Sequence, residues 1–259
     1  MNSANYNAYG DESYFGDIAT YAIIGIEREK VATVENVIFS KINKFGLDSS
    51  DTIHCKNLFN IAAKKKTNFH KLSENDIGQL LISITNNISP HIIPSVGLYD
   101  NRLFKNLGIA FEDTKDLFFP SKGKDRIKIW QGFAFQAAAP LIERRFGIKN
   151  TKFWVDHDKT KINYLNNTKK KQERTYRSWC GQSGEWLKPE PQSSAKPCLL
   201  QIADLLAYSA AHAFHHKYHR RKSLFRKIVT GFNPDLGKLY PENQGPGFMK
   251  IGYTNREEK

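Results

Sequence analysis

Apolar and polar positions change their period several times along the chain, and each change predicts an element. Residues 6 to 13 read as a strand, and "ATYAIIGIE", residues 19 to 27, reads as a second. Gly16 and Asp17 between them suit a tight turn, so the two strands are expected to form an antiparallel hairpin. "ATVENVIFSKINKF", residues 32 to 45, has helical periodicity and stops at Gly46. "DTIHCKNLF" follows as a short extended piece entering a turn of helix. Residues 74 to 87 carry Ile77, Leu80, Leu81 and Ile84 on one helical stripe behind a Ser73 cap. "HIIPSVGLY", residues 91 to 99, is strand-like, and Pro94 assigns it to a sheet edge or a bulge.

Residues 125 to 146 predict a long helix that ends before Gly147, and "TKFWVDHD", residues 151 to 158, predicts a strand after it. Strand, long helix, strand is a parallel crossover unit, expected to be right-handed. "PEPQSSAKP" breaks the chain before a second strong helix, "CLLQIADLLAYSAAHAFHH". From Phe232 onward, residues 232–259 are rich in Gly and Pro and read as an irregular carboxy-terminal arm. The sum is a mixed α/β sheet covered by helices, expected to form one domain over residues 1–259.

Composition supports a packed domain: of 259 residues, 40% are hydrophobic and 12% aromatic. No apolar run approaches a membrane span, and "MNSANYNAYGDES" lacks the basic and apolar regions of a signal peptide. A cytoplasmic location without membrane association is the expectation. Three widely spaced cysteines, Cys55, Cys180 and Cys198, form no CxxC pair and fit thiols packed as small apolar groups. The formal charge of +13 attracts polyanions, of which nucleic acid is the commonest. A lysine-rich coding bias is the alternative source of that charge.

Three acids stand out. Successive side chains of a strand alternate faces, so in "AYGDESYF" Tyr9, Asp11 and Ser13 share one face, and Glu12 takes the other. Asp11 is the better candidate for a cleft, and Glu12 reaches it only from a twisted strand end. A turn-capping acid is the competing reading of Asp11. Asp156 in "WVDHD" sits where an apolar strand runs out, a usual place for a ligand in open α/β sheets, or else caps a loop. Asp204 lies in the middle of a helix that is apolar on nearly every side, with Gln201 and Tyr208 on its stripe. Burying a lone carboxylate costs several kcal/mol unless it is paired, hydrogen-bonded or bound to metal. It therefore either ties the helix to a loop or ligates a metal. Three carboxylates suit Mg²⁺ or Mn²⁺, in a one- or two-ion site, and point away from zinc.

"GDES" ending a first strand, the histidine of "TIHCKNL", a strand ending "WVDHD" and a late "LQIADLLAYS" helix together resemble a widespread bacterial family. That family is formally a domain of unknown function, grouped with the RNase H-like (retroviral integrase) superfamily. The resemblance spans the chain from the first strand to the final long helix. It implies a five-stranded sheet of order 3-2-1-4-5 with an antiparallel second strand, flanked by helices. It also implies acidic metal ligands at Asp11, Asp156 and Asp204, with Glu12 as a weaker addition. His54 matches the family's histidine, as a phosphate contact, a proton shuttle or a core residue holding a loop. Tyr14 stands where the family has glycine, and the segment "KKKQERTYRSWCGQSGEW" has no counterpart in its pattern.

That segment interleaves Lys169, Lys170, Lys171, Arg174 and Arg177 with Tyr176, Trp179 and Trp186. Phosphate attraction combined with base stacking makes it a candidate nucleic-acid contact, against a solvated loop with its tryptophans in the core. "HAFHHKYHRRK" spaces His212, His215, His216 and His219 at helical intervals. A helix leaving the core and turning basic explains them better than a transition-metal site. Lys64 to Lys66 read as a surface run. The leading expectation is a divalent-metal-dependent nuclease acting on RNA or DNA. The alternatives are a non-catalytic module binding nucleic acid or a protein, and a toxin or phage-defence component triggered by a partner.

Overall fold

A computed structural model describes residues 5–100, 123–147, 150–155, 198–215, 217, 219–239 and 250–252. Strands β1 (Tyr6–Phe15) and β2 (Ile18–Glu27) form an unbroken antiparallel hairpin, with Tyr6 opposite Glu27 and Phe15 opposite Ile18. The turn is Gly16-Asp17. Gly16 has φ 60°, a left-handed conformation that glycine adopts without steric cost. Strand β2 is apolar almost throughout and buried on both faces, as a central strand requires.

Strand β3 (Ile93–Asp100) pairs antiparallel with β2, and β4 (Thr151–Val155) pairs parallel with β1. Four strands thus run in the order β3-β2-β1-β4, with β2 antiparallel to the rest. A three-residue strip, β5 (Lys250–Gly252), pairs antiparallel with Val96 to Leu98 on the outer side of β3. The fifth strand expected beyond β4 is not among the described residues. Pro94 lies opposite Ile24, outside the stretch that β5 pairs, so its missing N–H costs no ladder bond there.

Helices follow at α1 (Val31–Lys44), α2 (Cys55–Leu58), α3 (Ile61–Lys64) and α4 (Glu74–Ile88). Ser73 caps α4 as expected. Its hydroxyl accepts from the Asp76 N–H at 3.1 Å, and the Asp76 carboxylate accepts from the Ser73 N–H at 3.0 Å. Such a reciprocal cap stabilises the helix by about 1 kcal/mol. Helix α5 (Gly123–Phe146) joins β3 to β4 as the crossover and covers one face of the sheet. The Ser95 hydroxyl donates to the Ala138 carbonyl at 2.7 Å, and the α5 backbone lies so close at Gly97 that a Cβ there would collide with Ala134.

Helix α6 (Cys198–Ala213) lies on the other face, packed against β1 and β2 and enclosed from outside by α1, α2 and α7 (Lys222–Phe232). That enclosure is why its sequence is apolar on nearly every side. Helix α7 buries Phe225, Ile228, Val229 and Phe232, an i, i+3, i+4, i+7 stripe. Each such side chain contributes about 1.5–3 kcal/mol. No helix among the described residues is long and apolar enough to cross a membrane.

Candidate functional site

Helix α6 aligns along β1 and so fixes the depth of each β1 side chain. The Tyr9 phenol lies near Cys198 at the start of α6, and the Phe15 ring stacks on His212 near its end, with centroids 3.9 Å apart. Between them, the Thr20 hydroxyl donates to the Ala207 carbonyl at 2.8 Å, and Thr20 is the register partner of Ser13. Asp11, lying between Tyr9 and Ser13 on this face, therefore stands alongside the portion of α6 between Cys198 and Ala207. Asp204 belongs to that portion. Both carboxylates are buried, each residue 7% exposed.

Glu12 is placed differently. Its register partner is Tyr21, which belongs to the cluster under α5. The strand has no bulge that would turn Glu12 round, so it faces away from α6 and does not join Asp11. Asp11 accepts the Glu12 N–H at 2.9 Å on Oδ1, a local bond in the middle of β1 rather than a cap at its end.

The segment from Ile53 to Cys55 wraps over α6 and is pinned to it at two points. Gln201 Oε1 accepts the Ile53 N–H at 2.7 Å, and Asp204 Oδ2 accepts the Cys55 N–H at 3.1 Å. Oδ2 also lies 3.1 Å from Nδ1 of His54. An ionised carboxylate only accepts, so Nδ1 carries the hydrogen and the neutral ring keeps its lone pair on Nε2. Both bonds fall on Oδ2, and Oδ1 has no hydrogen-bond partner among the described residues. His54 exposes nearly half of its side chain. A held imidazole of this kind is oriented to move a proton at Nε2.

Tyr208 lies on the same stripe. Burial, aided by Cys55 and Asp204, pushes its phenol up to about 12, so it stays a neutral donor at neutral pH. The Cys198 thiol is pushed up to about 12, by burial first and Glu35 second. Cys55 is buried too. Neither fits a reactive thiolate, in keeping with thiols that pack as apolar groups.

Several expected site residues lie outside the described residues: Asp156, Lys169, Lys170, Lys171, Arg174, Arg177 and Trp179. Asp156 follows Val155 in the sequence, and Val155 is the register partner of Gly10, the neighbour of Asp11. Among the described residues, no group of three or more His, Cys, Asp or Glu side chains is close enough to hold a metal ion.

The histidines at and just beyond the end of α6 close around Phe15, with His212, His215 and His219 at centroid distances of 3.9, 4.8 and 5.4 Å. His215 Nδ1 accepts the Lys217 N–H at 3.2 Å, and His219 Nε2 donates to the His212 carbonyl at 2.8 Å. They pack the hairpin tip against the end of α6. Arg221 is also structural: its guanidinium holds Glu74 at 2.7 and 2.9 Å and the Phe59 carbonyl at 3.1 Å. Sequence pattern alone does not pair His54 with Asp204 or Ile53 with Gln201. Gln201 and Asp204 shared a stripe, but nothing in the sequence said which loop would meet it.

Comparison of the chain with protein-family models, curated proteins and solved structures found no match.

Proposed function

We propose that the chain is a divalent-metal-dependent phosphodiesterase acting on nucleic acid, built on an RNase H-like sheet. The β3-β2-β1-β4 order with an antiparallel β2 supports the fold assignment. The observation that carries the functional reading is Asp204: a buried carboxylate with one oxygen saturated by the Ile53–Cys55 segment and the other without a hydrogen-bond partner among the described residues. Asp11 stands on the same side of the sheet. Oxygen donors of this kind fit a hard cation such as Mg²⁺ or Mn²⁺.

In this reading Asp11, Asp204 and Asp156 would hold the cation. When bound, it supplies acidity to a water and charge compensation at the phosphate. Asp204 does a second job through Oδ2: it orients His54, whose Nε2 accepts a proton from the attacking water or returns one to the leaving oxygen.

A second reading rests on the same bonds. The Cys55 N–H and the His54 ring already compensate part of the buried charge, as expected of an acid that ties a loop to a helix. The chain would then be a non-catalytic binding module. Incubation of the purified protein with RNA, DNA and hybrid duplexes in Mg²⁺ or Mn²⁺ separates the two. The enzyme reading expects chelator-sensitive cleavage that Asp204→Asn abolishes. Intact substrates under all these conditions would leave the binding module.

A further inference from the structure

A groove of about 490 Å³ opens beside the candidate site and shares His54 with it. Its lining runs from His54 past Asn57 to Lys65, Lys66, Asn68 and His70. We propose that this groove seats the phosphodiester backbone of the nucleic-acid strand, with Lys65 and Lys66 as the phosphate-gripping residues. The inference rests on the phosphodiesterase reading and names where its substrate lies.

Three lysines in a row look alike in the sequence, and the structure divides them. Lys64 folds back, its Nζ donating to the Leu72 carbonyl at 2.9 Å, and so serves the loop. Lys65 and Lys66 are exposed and line the groove. The turn that presents them is fixed. Asn60 Oδ1 accepts the Ala63 N–H at 3.0 Å, and the Lys65 and Lys66 N–H groups donate to the carbonyls of Ile61 and Ala63 at 3.3 and 3.0 Å. Asp51 is the acid in the lining, and both its oxygens are engaged. Oδ2 accepts the Asp48 N–H at 2.8 Å, and Oδ1 accepts the Asn68 amide at 2.9 Å. His70 Nδ1 donates to the Thr67 carbonyl at 2.7 Å, which places the ring's second proton, when it is taken up, on Nε2.

The described lining residues therefore present lysines and neutral donors around a hydrogen-bonded Asp51, with no tyrosine, tryptophan or phenylalanine among them. That chemistry grips phosphates and leaves bases unread, so binding is sequence-independent and salt-sensitive. An acidic peptide offers carboxylates to the same lysines. The groove's continuity with His54, and so with Asp204, favours a strand that passes from the lysines to the reacting phosphate.

The test is fluorescence anisotropy with labelled dT and rU oligonucleotides of about twelve nucleotides, in chelator, across a salt series. The wild-type protein is compared with Lys65→Ala/Lys66→Ala and with Lys30→Ala/Lys227→Ala as a charge-matched control away from the groove. Thermal melts check that each variant is folded. The groove variant is expected to bind about five- to tenfold more weakly, and its slope of log affinity against log salt to flatten by about 1.4, two single-strand contacts. The control is expected to bind within about twofold of wild type. Wild-type affinity and slope in the groove variant would overturn the proposal. So would a wild-type protein that ignores oligonucleotides while binding labelled polyglutamate through the same lysines. Cleavage is scored separately in Mg²⁺ or Mn²⁺. Lysine-dependent binding without cleavage keeps the groove and removes the enzyme. Cleavage that depends on Asp204 but not on the lysines does the reverse.

Discussion

His54 Nδ1 lies 3.1 Å from Asp204 Oδ2, a contact between residues 150 positions apart in the chain. The same oxygen accepts the Cys55 N–H, so one carboxylate fixes both the course of a loop and the orientation of an imidazole. Removing it has two separable consequences. Asp204→Ala strands the buried Cys55 N–H and is expected to cost about 1–3 kcal/mol in urea unfolding. Asp204→Asn keeps an acceptor for that N–H and is expected to cost less, while losing the charge that the proposed cation binding needs. Equal stability losses in the two variants would mean that the Cys55 bond contributes little.

His54 itself leaves nearly half of its side chain exposed, so its removal should largely spare the fold. His54→Ala is expected to leave the unfolding midpoint nearly unchanged and to lower cleavage about 10²- to 10⁴-fold, the usual range for a lost general acid or base. Steady-state rates measured beside a denaturation curve check this. A drop in stability matching the drop in rate would make His54 a loop anchor instead.

The site around the Ile53–Cys55 segment was half legible in the sequence. The position of Asp204 in an all-apolar helix marked it as a residue needing a partner, and strand alternation put Asp11 and Glu12 on opposite faces. The hairpin, the capped helix and the crossover helix follow from local periodicity and turn residues, and the structure keeps them within a residue or two. What local pattern does not encode is which distant loop meets a helix stripe. The pairing of residues 53–55 with Gln201 and Asp204 depends on tertiary packing. Helix α7 was legible in principle: Phe225, Ile228, Val229 and Phe232 have helical spacing, masked by the basic residues before them. The division of Lys64 from Lys65 and Lys66 arises from a turn no longer than one helical turn, below what periodicity resolves.

Acid should destabilise the fold through His212. Burial, then the neighbouring His219, His215 and Arg221, hold its ring down to about 3 from an ordinary 6.5. Unfolded chains take up that proton below about 6.5, and the folded chain does not until about 3. Stability is therefore expected to fall as pH drops through that window, at up to about 1.4 kcal/mol per pH unit from this group. Urea unfolding at a series of pH values measures it, and His212→Gln should flatten the dependence. An unchanged slope in the variant would assign the effect to other groups.

Glu74 acts at lower pH and more weakly. Its hydrogen bond to Arg221 is the main reason its carboxyl sits below the usual range, so its contribution is present above the unfolded value and lost as pH falls through the folded one. The carboxylate is 46% exposed, and solvent screening limits the pair to about 1 kcal/mol or less. Glu74→Gln should cost that much near neutral pH and nothing at acid pH, which a pair of denaturation curves would show.

Ser209 gives a prediction of opposite sign. Its hydroxyl is buried in α6 without a hydrogen-bond partner among the described residues. Ser209→Ala removes an unsatisfied polar atom and is expected to stabilise the protein by a few tenths to about 1 kcal/mol. A destabilised variant in thermal melts would show that the hydroxyl is satisfied in solution.

The central claim is that Asp11 and Asp204 share a divalent cation, and Mn²⁺ titration followed by electron paramagnetic resonance tests it most directly. The account predicts that the wild-type protein removes free Mn²⁺ from solution and that Asp11→Asn and Asp204→Asn each lose that capacity while remaining folded. Wild-type protein that leaves the free Mn²⁺ signal untouched, or two variants that bind as well as wild type, would contradict it.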